Sequence, residues 1–220
     1  MSQIKKLSFY KNPFIGLFIK ASEKLALIPK NIHEKNIPEI EETLQVRAIP
    51  VFFCQSPTLG IFSAFNSNGI VVSALAEKHE LKPLKDEGLN VCYLDERYSP
   101  GNNILTNDKA ALVNPSIPKL EIKKIADCLG VEVSNHPLAN LPTVGSTNIA
   151  TNSGLLANSE ISDVELKMME RILQVRGIKG TVNLGSFANA YGVVANSKGA
   201  IVGESTSGAE MQKIYESLFG

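Results

Sequence analysis

Three cysteines and three histidines are the residues of this chain with the most obvious chemical reach. Cys54, Cys92 and Cys128 lie far apart and form no C-x-x-C pair, so neither a zinc site nor a disulfide framework is implied. They read as small core hydrophobes. A nucleophilic cysteine needs a histidine in reach to form its thiolate, yet Cys128 sits on the apolar side of a helix-period block beside Ile125 and Leu129, and no cysteine follows it. His79-Glu80-Leu81-Lys82-Pro83 lacks the second histidine of a zincin motif, and His33 and His136 read as capping or surface residues. No P-loop, G-x-G-x-x-G or aromatic-basic ribonucleoprotein signature is present. The expectation is a protein that is not an enzyme, with no catalytic residue, no metal and no cofactor.

Composition narrows the class further. Lys+Arg (22) equals Asp+Glu (22) over 220 residues, and 44% of the residues are hydrophobic. Such a balance excludes a general nucleic-acid coat and an acidic tail, and fits a globular domain with a substantial core. The first residues contain no apolar run of signal-peptide length, so a cytoplasmic protein is expected. From Ala48 to Ala76 no residue is charged, a length that could span a bilayer. Pro50, Gln55-Ser56-Pro57 and Asn66-Ser67-Asn68-Gly69 cut that stretch into pieces of strand length, which reads as buried strands.

Neutral stretches recur: 98–107, 133–159 and 180–197 also lack charge, so charged and uncharged blocks alternate along the chain. A Leu-x-Val anchor closes each charged block at Leu44, Leu89, Leu129 and Leu173, with a degenerate copy at Leu218. The steps are 45, 40, 44 and 45 residues, and Leu-Gln-Val-Arg occurs twice, at 44–47 and 173–176. This is the signature of an internal repeat. Turn chemistry before each short apolar strand agrees, as in Asn66-Ser67-Asn68-Gly69 before Ile70 and Asn196-Ser197-Lys198-Gly199 before Ala200.

A helix-period block follows each hairpin. Ser162 with Glu165, and Ser207 with Glu210, form capping-box patterns, ahead of apolar faces Val164, Met168, Ile172, Leu173 and Met211, Ile214, Tyr215, Leu218. Leu120, Ile122, Ile125 and Leu129 make the same face in the third unit, with Pro118 allowed in the first turn. Each unit therefore predicts strand, turn, strand, helix, strand: an α/β (α+β) chain in one domain, with units near 14–57, 58–101, 102–143, 144–186 and 187–220. The fifth unit lacks a last strand, whereas Ile4 to Tyr10 is an unassigned strand at the other terminus. If residues 1–13 supply it, the chain closes into a propeller-like ring with five-fold pseudosymmetry; the alternative is an open solenoid, which would require polar caps.

A second series is Gly16, Gly60, Gly101 and Gly145, each ten residues before the second strand's apolar positions, with a looser fifth member near Gly185 or Gly192. Pseudosymmetry puts these glycines at one end of the ring. They read either as turns that only glycine fits or as a flat, exposed rim suited to a large partner.

Five-fold repeats of this kind resemble the penteins. Phe14-Ile15-Gly16-Leu17-Phe18, Asn66 to Val72, Gly101-Asn102 through Thr106-Asn107-Asp108-Lys109 to Pro115, Val144-Gly145-Ser146 with Asn152-Ser153-Gly154, and Gly180 to Ser186 are similar to the successive motifs of the translation initiation factor six family. The resemblance covers essentially the full chain and is nearest the archaeal form. It implies a pentein ring that binds the large ribosomal subunit, beside a ribosomal protein and the sarcin-ricin loop, and sterically keeps the small subunit away. It also implies release by a maturation protein and a translocase-like GTPase. On this resemblance Gly16, Gly101, Asn102, Asn107 and Asp108 are candidate ribosome-binding residues, with Gly60 added by pseudosymmetry. The alternative is a pentein-fold hydrolase or transferase acting on guanidino substrates.

A neutral chain suits a protein contact better than a grip on many phosphates. One local excess exists: residues 1–33 hold Lys5, Lys6, Lys11, Lys20, Lys24 and Lys30 against Glu23 alone. That segment is the candidate rRNA-facing basic sector, or else a set of solvated lysines that discourage edge pairing.

Overall fold

Alternating apolar and turn-forming residues build fifteen short strands among the described residues of this computed structural model, which are 3–139 and 141–220. After β1 (Gln3–Leu7), the first unit runs from a 3-10 turn (Ile15–Leu17) through β2 (Lys20–Ala21), β3 (Leu25–Pro29), α1 (Asn36–Leu44) and β4 (Arg47–Val51). The second comprises α2 (Leu59–Phe62), β5 (Ser63–Phe65), β6 (Gly69–Ser73), α3 (Lys82–Asp86) and β7 (Asn90–Leu94). The third repeats this with α4 (Pro100–Asn103), β8 (Ile104–Thr106), β9 (Ala110–Val113), α5 (Lys119–Leu129) and β10 (Glu132–Asn135). The fourth has α6 (Val144–Thr147), β11 (Ile149–Ala150), β12 (Gly154–Asn158), α7 (Asp163–Leu173) and β13 (Arg176–Gly180). The fifth has α8 (Asn189–Gly192), β14 (Val193–Ala195), β15 (Gly199–Gly203) and α9 (Gly208–Phe219).

The strands form five three-stranded sheets, each with an inner strand antiparallel to a middle strand and an outer strand parallel to it. The sheet of the fifth unit is completed from the N-terminus: β1 pairs with β15 from Gln3↔Gly199 to Leu7↔Gly203. The expected donation of that strand is what the structure contains.

Middle strands are buried along their whole length, because each sheet is covered on both faces. In β3 the faces separate with period two: Ala26 and Ile28 pack with α1 and with Val194 and Ile201 of the fifth unit, while Leu25 and Leu27 pack with Ile70 and Val72 of the second. Five such apolar cores lie between neighbouring sheets, including one between the fifth unit and the first.

Both capping boxes form, Ser162 with Glu165 and Ser207 with Glu210. The repeated Leu-Gln-Val-Arg has a shared local cause, since Gln45 and Gln174 both end a helix in the left-handed conformation, at φ 50° and 54°. Pro118 precedes the first turn of α5 instead of lying within it. Three apolar-face expectations fail: Leu120, Val164 and Tyr215 are 67%, 79% and 43% exposed. The helices rest on their sheets through narrower stripes, Ile125, Cys128 and Leu129 in α5 and Met169 and Leu173 in α7.

Candidate functional site

Each unit enters its inner strand through a short helical turn, an element that four residues without periodicity did not announce. These turns hold Gly16, Gly60, Gly101 and Gly145, and the fifth member is Ala190. A Cβ added at Gly60 would strike the Gly16 carbonyl, one at Gly101 the Gly60 carbonyl, one at Gly145 the Gly101 carbonyl, and one at Gly16 the Ala190 carbonyl, each with less than the 3.0 Å that real Cβ atoms keep. The turns thus pack backbone to backbone in a ring around the pseudosymmetry axis. The ring closes because the fifth turn meets the first.

The expectation of a single end for the glycines holds, but two parts of it need correction. The fifth member is neither Gly185 nor Gly192. More important, Gly16, Gly60 and Gly101 are buried, so they are no exposed rim. What reaches the surface at that end is the residue after four of the five ring positions, Leu17, Ile61, Asn102 and Tyr191, whereas Ser146 after Gly145 is buried. The Tyr191 hydroxyl donates to Asn102 Oδ1 across the axis, from the fifth unit to the third. Burial raises the tyrosine's pKa to about 12, which keeps it a donor at neutral pH.

The opposite end of each inner strand carries the hairpin turn, and here Asn107 and Asp108 are found. Asn107 is buried, with its amide donating to Thr151 O at 3.1 Å and Leu173 O at 2.9 Å. Asn66 makes the equivalent bonds to Asn107 O and Leu129 O, and Asn196 to Ser22 O and Leu44 O. Each asparagine ties its unit to the next unit's turn and to the last carbonyl of that unit's helix, a group that would otherwise be an orphan. Asp108 accepts from Ser67 N and Oγ and from Asn152 Nδ2, all at 2.8 Å. Glu23 is held by Ser197 in the same way.

The six candidate residues therefore split between two ends, separated by a three-residue inner strand of about 10 Å. One face does not contain them all. Asn107 and Asp108 hold neighbouring units together, the glycines shape the ring of turns, and Asn102 lies among the partly accessible residues of the other end.

The six lysines do not converge either. Lys5 and Lys6 are exposed on β1, the outer strand of the fifth sheet, where Lys6 Nζ donates to Glu204 O. Lys11 and Lys30 are exposed in loops, and Lys24 reaches Ser67 O in the second unit. Lys20 lines a partly open cavity on the axis. Closeness in sequence scattered them because the chain crosses from the fifth sheet to the first within this segment.

The cysteines remain apart from any histidine at hydrogen-bond distance. Cys128 is buried, its Sγ 3.3 Å from Ile70 O, and a hydrogen bond from Cys92 lowers its pKa while raising that of Cys92. His33 Nδ1 accepts from Lys35 N, a local turn contact. Among the described residues no group of three or more His, Cys, Asp or Glu side chains could hold a metal ion, and no helix is long and apolar enough to cross a membrane.

Known proteins match this sequence along nearly its whole length. The chain is 37% identical to Translation initiation factor 6 of Thermococcus onnurineus over 223 residues, covering 98% of this chain and 97% of the relative. It is 36% identical to the protein of that name from Pyrococcus horikoshii, covering 98% of each, and 35% identical to that of Thermoplasma acidophilum, covering 98% and 99%. A family model described as the eIF-6 family matches residues 4–217, a span that takes in part or all of each of the five units, and the chain belongs to the eIF-6 family.

Proposed function

We propose that this protein is a cytoplasmic translation initiation factor that binds the large ribosomal subunit and sterically prevents the small subunit from joining. The observation that carries the reading is the family match from the first strand to the last helix, with relatives named as an initiation factor over nearly their full length. Two physical features support it. A ring closed by backbone packing is a stiff body, suited to blocking a surface without changing shape. A chain with balanced charge does not depend on releasing many counterions, which favours a protein contact over a grip on many phosphates. The family resemblance makes that contact a ribosomal protein near the sarcin-ricin loop, with local rRNA contact. Release by a maturation protein and a translocase-like GTPase belongs to the same proposal.

The docking face in this reading is the helical-turn end, with Asn102 as a contact and Gly16, Gly60 and Gly101 shaping the ring beneath it. Sedimentation tests it. Added protein is expected to shift joined ribosomes to free subunits and to travel with the large one, and Asn102→Arg is expected to weaken that comigration while leaving the circular-dichroism spectrum intact. Comigration with the small subunit alone would sink the proposal.

A further inference from the structure

Between the two ends of the ring lies an axial cavity of about 50 Å³. That is room for roughly four waters, or for one tetrahedral ion. Its walls combine inner-strand backbone with apolar side chains such as Ala64, Ile104, Leu105, Ile149 and Val194 and the polar Thr106 and Asn148, and Lys20 alone among the lining residues carries a charge. At the matching position the other units have Ala64, Leu105, Ile149 and Val194, so four of five are apolar.

Lys20 has neither a hydrogen-bond nor an ion-pair partner among the described residues. Its ammonium is nonetheless not sealed in protein, since the buried side-chain atoms without a partner are Thr43 Oγ1 and Asn189 Oδ1. Accessible yet deep, it faces the cavity. Burial lowers its pKa to about 8, and no carboxylate is close enough to oppose that. The nearest acidic groups along the axis, Glu23 and Asp108, are occupied at the hairpin end by Ser197, Ser67 and Asn152. At the other end stands the neutral Tyr191.

A cation that no protein group pairs with calls for a counterion. The inner strands supply further donors, because each is paired on one side only and its free edge turns towards the axis. An ion with several acceptor oxygens fits this set: one ammonium plus backbone N–H groups from different units. We infer that the axial cavity is a binding site for a single small oxyanion of the sulfate or phosphate class, held by Lys20. The inference is independent of ribosome binding and would stand if that reading failed.

Sulfate is the probe, because it does not titrate in the relevant range. At constant ionic strength it is expected to raise the melting temperature of the full chain in two parts: a general linear rise common to sulfate salts, and a saturable rise. Lys20→Met is expected to keep the first and lose the second, with sulfate affinity down at least about tenfold. Lys30→Met, an exposed lysine, is expected to retain both. If Lys20→Met does not fold, the wild-type protein decides by itself: the affinity should fall at least about tenfold between pH of about 6.5 and 9.5, as the ammonium loses its proton. A wild type with no saturable response, an equal saturable response in Lys20→Met, or a pH-independent affinity would each overturn the inference.

Discussion

Gly60→Ala adds one methyl group to the ring of helical turns. An ideal Cβ there lies 2.0 Å from the Gly16 carbonyl oxygen and 3.0 Å from Leu17 Cα. Both are backbone atoms, which cannot rotate aside as the end of a long side chain would. The first and second units must separate by about 1 Å, against packing on either side. Overfilling a packed site costs about 1–3 kcal/mol, and a clash with backbone belongs at the upper end. Replacing glycine in a helical turn returns up to about 1 kcal/mol of chain entropy. The net is a loss of about 2 kcal/mol, which for a chain of this size lowers the melting temperature by about 4–8 °C. Gly208→Ala is the control, since nothing lies within 4 Å of its added methyl at the start of α9. That variant should melt at or slightly above the wild type. Thermal melts and urea titrations of the three proteins, followed by circular dichroism, make the comparison. The ring already accommodates one methyl, at Ala190. Should Gly60→Ala melt within about 1 °C of the wild type, the ring relaxes freely and the backbone-to-backbone account of the turns is refuted.

Two further outcomes follow from the inter-unit bonds. Asn196→Ala removes a buried amide that satisfies Ser22 O and Leu44 O, the tie that joins the fifth unit to the first. A loss of about 3 kcal/mol is expected in urea unfolding, and a change under about 0.5 kcal/mol would show that water replaces the amide there. Burial opposes ionisation of Glu210, but hydrogen bonds from the Ser207 and Gly185 N–H groups and from the Ser207 and Thr181 hydroxyls outweigh it and hold its pKa at about 2, below the ordinary 4.5. A depressed carboxyl contributes stability above its unfolded pKa and loses it as pH falls through its folded one. Stability should therefore decline from pH 4.5 towards 2, with a shallower decline in Glu210→Gln; identical slopes would rule the residue out as a source.

Much of the fold was legible because its causes are local. The period of the Leu-x-Val anchors, the two capping boxes and the hairpin turns all involve residues within one unit, and each appears where its spacing predicts. The N-terminal strand could be assigned to the fifth sheet because a repeat with a missing member and a spare strand leaves one economical solution. Side-chain placement was less legible. Leu120 and Val164 match the helical period yet are exposed, since the period gives an apolar stripe and not its width. The glycine series points to a glycine at the fifth ring position, which is instead Ala190. Counting six residues back from Asn196, as Gly60 precedes Asn66 and Gly101 precedes Asn107, was the signal that could have found it.

Charge shows the division most clearly. Six lysines in the first 33 residues are a property of the chain, and so is the equality of 22 with 22. Whether those lysines make a surface depends on where consecutive residues land once β1 has joined the fifth sheet and β2 the first. Folding sends Lys5 and Lys6 to an outer strand, Lys24 to a hairpin turn and Lys20 to the axis. Repeats, strands and caps follow from neighbours a few residues apart, so the chain states them directly. Burial and the isolation of Lys20 arise from contacts between units about 44 residues apart, which exist only when the ring is closed.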